Sequence, residues 1–402
     1  MQQILKPLLQ KNSSKIVLVV LDGLGGLPVN GKTELEAADT PNLDALARTS
    51  ACGLHIPVAP GITPGSGPGH LALFGYDPLA CQIGRGILEA LGLGMEVRKS
   101  DIAVRCNYAT MKDGAIVDRR AGRIPTEQSR LVTAGLQKAI TKIDDVHIMI
   151  SAGMEHRFAV RFRFPENLLP DSAMIADTDP QREGLMPLPL KAATKNAERV
   201  AVVAEKFIQQ AAELLKNEEK ANFLLMRGFS GMPDIPMFHE AYGMTALAIA
   251  TYPMYRGLAR LIDMDAPIIE GGVPDEITFL KKNHDKYDFF FLHVKKIDSY
   301  GEDGNFEGKM KRIEEFDALL PEILELNPDV LVITGDHSTP ASMSGHSWHP
   351  VPIIIKGPYV YGGFCEKFSE RECYKGELGV FPSVQIMALA LANAMRLKKF
   401  GA

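Results

Sequence analysis

Three apolar runs, each handing the chain to an aspartate at its carboxyl end, restrict the architectures open to this sequence. Residues 16–21, IVLVVL, end at Asp22 and Gly23; residues 287–294, YDFFFLHV, lead to Asp298; residues 330–334, VLVIT, lead to Gly335, Asp336 and His337. Runs without polar alternation read as strands buried on both faces, as in parallel sheets. Residues 306–326, charged on one side and apolar on the other, supply an amphipathic crossover helix between the last two runs. Strand, helix and strand, with polar residues after each strand, predict a doubly wound α/β sheet whose ligands sit beyond the carboxyl ends of the strands.

Residues 79–239 break that rhythm. A Gly-rich run, GRGILEALGLG, is followed by residues 101–120, whose short alternating strands around Asp113 and Gly114 predict an antiparallel hairpin. VHIMI and FAVRFRF predict a second strand pair, and a Pro-rich loop (165–189) and a long helix (194–217) come after it. This segment is expected to be a smaller α+β domain inserted into a core made of residues 1–78 and 240–402. A chain of 402 residues is longer than one hydrophobic core usually fills.

The bulk composition excludes several classes of partner. A net charge of -5 leaves no basic footprint for nucleic acid. No stretch approaches the roughly 20 apolar residues of a membrane span, and the polar first fifteen residues do not resemble a secretory leader. Five widely spaced cysteines without a C-x-x-C pair read as reduced thiols. A cytoplasmic protein acting on a small molecule is expected, with the oligomeric state open.

Asp22, Asp298, Asp336, His337 and His346 each follow a predicted strand or lie in the loop after it. A single aspartate there is as readily a helix cap; carboxylates mixed with imidazoles on one sheet edge suit a divalent cation such as Mn²⁺, Zn²⁺ or Mg²⁺. Ser66 lies in GITPGSGPGHLALFGY, a rigid Gly/Pro loop running into a helix, where backbone N–H groups would favour a phosphate. It is a candidate nucleophile, or else a capping serine. Arg119, Arg120 and Arg123 in DRRAGRI, with Arg157, Arg256 and Lys295, are candidates for gripping carboxylate and phosphate groups, or surface ion-pair partners. Asp118 is a turn residue or an acid–base candidate.

LDGLGGLP, GKTELEAADTPNLDALA, TPGSGPGHLALFGYDP, GRGILEALGLGMEV, CNYATMKDGAIVDRRAGRI, GDHSTP and HSWHPVPIII follow one another from about residue 15 to 395. Together they resemble the archaeal-type, 2,3-bisphosphoglycerate-independent phosphoglycerate mutases of the alkaline phosphatase superfamily. The resemblance implies an alkaline-phosphatase-like core and interconversion of 3- and 2-phosphoglycerate through a phosphoserine on Ser66, under an inserted lid. It further implies two divalent metal ions, expected to be Mn²⁺ with Zn²⁺, Co²⁺ or Mg²⁺ as alternatives, and no 2,3-bisphosphoglycerate. Asp22, Ser66, Asp336 and His337 match the ligands of one metal, and Asp298 and His346 those of the other. IDSYGEDGN departs from the family's Asp-x-x-Gly-His-Asp-Gly by placing Glu302 where the histidine stands, with His349 as a further imidazole nearby. The rivals are a metal-dependent phosphomonoesterase and a catalytically impaired metal-binding relative.

Overall fold

The computed structural model describes residues 2–81 and 83–401. In chain order, β1 (Ile16–Leu21) and β2 (Ala51–Ile56) precede β3 (Asp101–Lys112), β4 (Ala115–Asp118), β5 (Lys142–Ile143), β6 (Val146–Ala152), β7 (Arg157–Arg163) and β8 (Phe223–Gly231). Then come β9 (Ala246–Ile249), β10 (Phe289–Val294), β11 (Val330–Thr334), β12 (Val351–Lys356) and β13 (Gly379–Pro382). The chain divides into two compact units, residues 1–82 with 235–402 and residues 83–234, a few residues inside the limits expected from the sequence.

In the first unit seven strands form one sheet in the order β13-β2-β12-β11-β1-β10-β9. β1 lies parallel to both β10 and β11, with Leu21 opposite Val294 and Val20 opposite Thr334. This register is what brings Asp22, Lys295 and Asp336 side by side at one sheet edge. The sheet is mixed: β12 runs antiparallel to β11 and to β2. The segment between β11 and β12 holds only the short 3₁₀ turn Ala341–Met343, so it has no crossover helix to return the chain parallel. Val17, Val19, Leu21, Leu292, Leu331 and Ile333 pack with Ile313, Phe316 and Leu320 of the crossover helix Phe306–Leu324. Full burial of each such side chain contributes about 1.5–3 kcal/mol.

One buried carboxyl in this core makes stability depend on pH. Glu276, 2% exposed, accepts a hydrogen bond from the Thr251 N–H at 3.0 Å. Burial pushes its pKa up to about 7 from 4.5. The folded state therefore binds more protons than the unfolded one between these values, and stability falls as pH rises through that window. Glu276→Gln keeps an acceptor for Thr251 and should stabilise the protein at pH 8 by up to about 3 kcal/mol, with no gain at pH 4.5. Thermal unfolding of both proteins at the two pH values checks this, and an equal shift at both would refute it.

In the second unit the strand order is β4-β3-β7-β6-β5, and β8 pairs with β3. β3 and β4 meet through Asp113 (φ 51°) and Gly114 (φ 82°), two positive-φ residues that match the twist of a tight hairpin. β6 and β7 form the second antiparallel pair. The helix Glu198–Leu215 begins after a 3₁₀ turn capped by the Thr194 side chain. It buries Val200, Val203, Phe207, Ala211 and Leu215 along one face. Among the described residues no helix is long and apolar enough to cross a membrane.

Candidate metal centre

Asp22 directly follows β1, and its N–H donates to the Val294 carbonyl oxygen (3.0 Å), so the central strand delivers a carboxylate to the sheet edge. Gly23 is required after it. Its φ is +68°, and a Cβ there would stand 2.5 Å from Thr339 Oγ1 and 2.9 Å from the Asp298 Cα. The Gly23 N–H donates to Asp336 Oδ1 at 3.1 Å. Ser66 is the first residue of the helix Ser66–Leu73, capped by the extended Gly65. That helix seats against the loop after β11 at Gly69, where a Cβ would meet the Asp336 carbonyl oxygen at 2.5 Å.

Two groups of ligand atoms converge here, each within 4.8 Å: Asp22, Asp336 and His337, and Asp298, His337 and His346. His337 Nε2 lies 3.1 Å from Asp336 Oδ2, 3.5 Å from Asp22 Oδ1 and 3.2 Å from Ser66 Oγ. His346 Nε2 lies 3.5 Å from Asp298 Oδ1 and 3.6 Å from Glu302 Oε1, and its ring stacks on that of His337 at 3.7 Å. Glu302, at the carboxyl end of the short helix Lys296–Glu302, stands at the exposed margin of the second group. His349 turns to Ser347 Oγ (3.1 Å) and belongs to neither group.

The hydrogen bonds decide which imidazole nitrogens are bare. Burial pushes the Asp298 carboxyl up, but the His346 hydrogen bond and the Lys295 and His337 charges hold it down at about 2, so it is ionised. Thr339 Oγ1 donates its one proton to Asp298 Oδ1 (2.8 Å). Toward His337 Nδ1, 3.0 Å away, that hydroxyl must accept, so Nδ1 carries the proton and Nε2 is left with a lone pair. His346 Nδ1 donates to the Pro64 carbonyl oxygen at 2.9 Å. Burial pushes its pKa down, but Asp298 beside Nε2 and the Pro64 carbonyl hold it up at about 9, so this ring carries a proton on Nε2 that a cation would displace.

The Asp22 carboxyl is completely buried. Burial pushes its pKa up, but the His293 hydrogen bond and the Lys295, His293 and His337 charges hold it well below the ordinary value. Tyr255 Oη donates to Asp22 Oδ2 at 2.5 Å and His293 Nε2 lies 3.2 Å from it. Asp22 Oδ1 and Asp336 Oδ2 are buried and accept no hydrogen bond. Orphaned carboxylate oxygens in the interior are costly unless a cation meets them. Hard oxygens facing the bare Nε2 of His337, with the Nε2 of His346 beside them, fit a divalent ion.

The metalloenzyme superfamily profile matches residues 14–393. The Aquifex aeolicus protein named probable 2,3-bisphosphoglycerate-independent phosphoglycerate mutase is 62% identical, covering 99% of this chain and all of its own. This chain belongs to the 2,3-bisphosphoglycerate-independent phosphoglycerate mutase family. A relative of the same name from Thermus thermophilus is 52% identical over 99% of both chains. The solved cofactor-independent phosphoglycerate mutase of Thermoplasma acidophilum is 30% identical, with a TM-score of 0.73 over 95% of this chain and all of its own. A Pyrococcus horikoshii protein of known structure reaches a TM-score of 0.83 at 30% identity, over 98% of this chain and all of its own.

For a mutase of this family, the placement of the basic residues bears on how an anionic substrate is held. Lys295 lies in the metal centre, 3.1 Å from Asp22 Oδ2 and hydrogen-bonded to Asp298. Arg256 is buried in the first unit and donates to the carbonyl oxygens of Ala250 (3.4 Å) and Thr251. In the second unit the Arg119 fork is occupied, donating to Asp179 at 2.7 and 2.8 Å. Asp118 is a turn residue, accepting from the N–H groups of Arg120 (2.7 Å) and Gly122 (2.6 Å). Arg120 and Arg123 are exposed. They belong to a wider cationic cluster: burial pushes His156 down to about 4, and Arg157, Arg120, Arg105 and Arg123 push the same way. Burial pushes the Arg105 guanidinium down and Glu89 opposes this, while Arg157, Arg227 and Arg85 push the same way as burial. The buried Nε of Arg105 has no hydrogen-bond acceptor among the described residues, while Arg227 is ion-paired, with Nε 3.6 Å from Asp177 Oδ2 and Nη1 3.3 Å from Asp179 Oδ2.

Sequence reasoning missed Arg85, Arg105 and Arg227 in this cluster, and Tyr255, His293 and Thr339 in the metal centre. For Arg105 and Arg227 the available signal was an arginine within an otherwise apolar strand. For His293 it was the one imidazole inside YDFFFLHV. Tyr255 carried none.

Proposed function

We propose that this mutase interconverts 3-phosphoglycerate and 2-phosphoglycerate through a phosphoserine on Ser66, at a site holding two divalent cations, Mn²⁺ foremost. The observation that carries this reading is the position of Ser66 Oγ. It starts a helix and stands 3.2 Å from the bare Nε2 shared by both carboxylate–imidazole groups. Asp22, Asp336, His337 and Ser66 are assigned to one ion, and Asp298, His346 and Glu302 to the other. Bound there, the cations would acidify the Ser66 hydroxyl and neutralise charge on the transferring phosphoryl group. Ser66 Oγ forms a bond to phosphorus as the bond to the glycerate O3 breaks, and the glycerate O2 then takes the group back. The helix N-terminus, with N–H groups that lack intrahelical acceptors, favours the phosphoserine dianion.

Lys295 and the arginine cluster of the second unit are assigned to the carboxylate and phosphate groups of the substrate. In this assignment Arg119 and Arg256 act through the side chains and carbonyls they already hold. The second unit is read as the inserted substrate-binding lid, and retention of glycerate while Ser66 is phosphorylated is its task. The five thiols are free, which agrees with the reducing cytoplasm in which we place the enzyme.

Partitioning of the phosphoserine tests the reading. Arg120→Ala or Arg123→Ala should weaken retention of glycerate more than phosphorylation of Ser66, so that hydrolysis gains on isomerisation. Each lost charged contact is worth about 1.5–3 kcal/mol, or roughly 10- to 150-fold. The measurement is the ratio of inorganic phosphate to 2-phosphoglycerate made from 3-phosphoglycerate. An unchanged ratio in both variants removes these arginines from the substrate site. A wild type that makes mainly phosphate is a phosphomonoesterase.

A further inference from the structure

Lys309 lies near the start of the crossover helix Phe306–Leu324 and is completely buried. A lysine ammonium has three donors, and here two carbonyl oxygens accept from it with a carboxylate beyond them. The Gly25 and Thr339 carbonyl oxygens each accept from Nζ at 2.9 Å, and Glu34 Oε1 lies at 4.0 Å. Gly25 is in the loop that follows Asp22, and Thr339 in the loop that carries Asp336 and His337. The Gly25 carbonyl oxygen also accepts from the Thr339 N–H at 3.0 Å, so one carbonyl joins both loops and the lysine. Thr339 is the residue whose hydroxyl holds Asp298 at 2.8 Å and sets the tautomer of His337 from 3.0 Å.

Two glutamates, Glu34 buried and Glu370 half-buried, complete the arrangement. Glu34 Oε1 accepts from the Ala341 N–H at 2.7 Å, gripping the far side of the same β11 loop. Glu370 accepts from the Gly26 N–H (2.9 Å) and from Thr33 Oγ1 (2.7 Å), gripping the β1 loop. Neither glutamate reaches the metal centre, and neither does Lys309. All three hold the backbone segments on which the ligands are mounted.

We infer that Lys309 is a positioning residue of the metal centre: its ammonium clamps the loop after β1 to the loop after β11 and so sets the spacing of Asp22 from Asp298, Asp336 and His337. The inference rests on the metal-centre reading. A bare amphipathic crossover helix needs no buried cation, whereas a site whose ligands come from several separate segments, the loops after β1 and β11 among them, needs those segments held to within a fraction of an ångström.

The test uses Lys309→Met, which keeps the length of the stem and removes the donors, and Lys309→Met/Glu34→Gln, which also removes the carboxylate left unpaired. Apoprotein of each is titrated with Co²⁺ while the visible absorption of the bound ion and the far-UV circular dichroism are recorded. Both variants are expected to bind Co²⁺ about 10- to 100-fold more weakly than the wild type, with an altered ligand-field spectrum. The double variant should recover wild-type circular dichroism and most of the lost thermal stability, but not the Co²⁺ affinity. Steady-state kinetics with saturating metal should show kcat lowered and KM for 3-phosphoglycerate nearly unchanged. Wild-type Co²⁺ affinity and spectrum in the folded double variant would overturn the role of Lys309 and leave the metal centre standing. A wild type that takes up no Co²⁺ would overturn both.

Discussion

Ser66→Ala is expected to lower kcat by at least on the order of 10³-fold, because it deletes the one oxygen to which phosphorus can be passed. The fold should be untouched. Ser66 opens its helix without a side-chain cap bond, Gly65 being the cap residue, and a substitution of this kind changes stability by only about 0.5 kcal/mol. The distinguishing measurement is mass spectrometry of enzyme quenched during turnover. The wild type should carry a phosphoryl group on the peptide containing Ser66, and the variant none anywhere. Retention of more than a few per cent of wild-type activity would discard the phosphoserine route, whatever the metals do.

Removal of divalent metal is the second large effect expected. Chelation should inactivate the enzyme completely, and Mn²⁺ should restore it at least as well as Zn²⁺, since Glu302 adds a hard oxygen donor beside His346. The folded state should also lose stability. Asp22 Oδ1 and Asp336 Oδ2 then remain buried without a hydrogen bond, Asp336 keeping only the His70 and His337 rings at 3.1 Å, and the binding contribution disappears. That contribution is about 2.7–4.1 kcal/mol when free ion stands at 100 to 1,000 times its Kd. Metal content by elemental analysis, activity and the melting temperature as a function of added Mn²⁺ should move together. Glu302→His should shift the preference towards imidazole-favouring ions. Activity that returns with Zn²⁺ alone would exclude Glu302 as a ligand, and activity that survives chelation would exclude the metal centre.

The residues of the site differ sharply in how openly the chain announces them. Asp22, Asp336 and His337 follow runs so apolar that only a buried strand accommodates them, and a strand delivers whatever comes next to the sheet edge. Ser66 was marked by the glycines and prolines around it, which read as a loop, although the helix already begins at Ser66 and takes in Gly67, Pro68 and Gly69. The strand pair β6–β7, the hairpin at Asp113 and Gly114 and the helix Phe306–Leu324 were readable for the same reason: period and turn chemistry are local properties. The direction of β12 was not. VPIIIK is as apolar as the parallel strands of the same sheet, and its antiparallel course depends on the route of the preceding loop.

Tyr255 bonds Asp22 across 233 residues of sequence, and Thr339 bonds Asp298 across 41. Lys309 in an amphipathic helix reads as one more solvated charge, yet Gly25, Thr339 and Glu34 close around it. Arg119 reads like its neighbours Arg120 and Arg123 until Asp179 takes its fork. The sequence by itself determined that apolar strands would present carboxylates and imidazoles at one sheet edge, because side-chain period and strand burial are encoded within a few residues. Which nitrogen of His337 is bare, which arginine is already paired and which lysine is buried were decided by the tertiary structure alone. Each depends on hydrogen bonds between segments far apart in the chain, and such a bond exists only once register and packing have brought donor and acceptor within about 3 Å of one another.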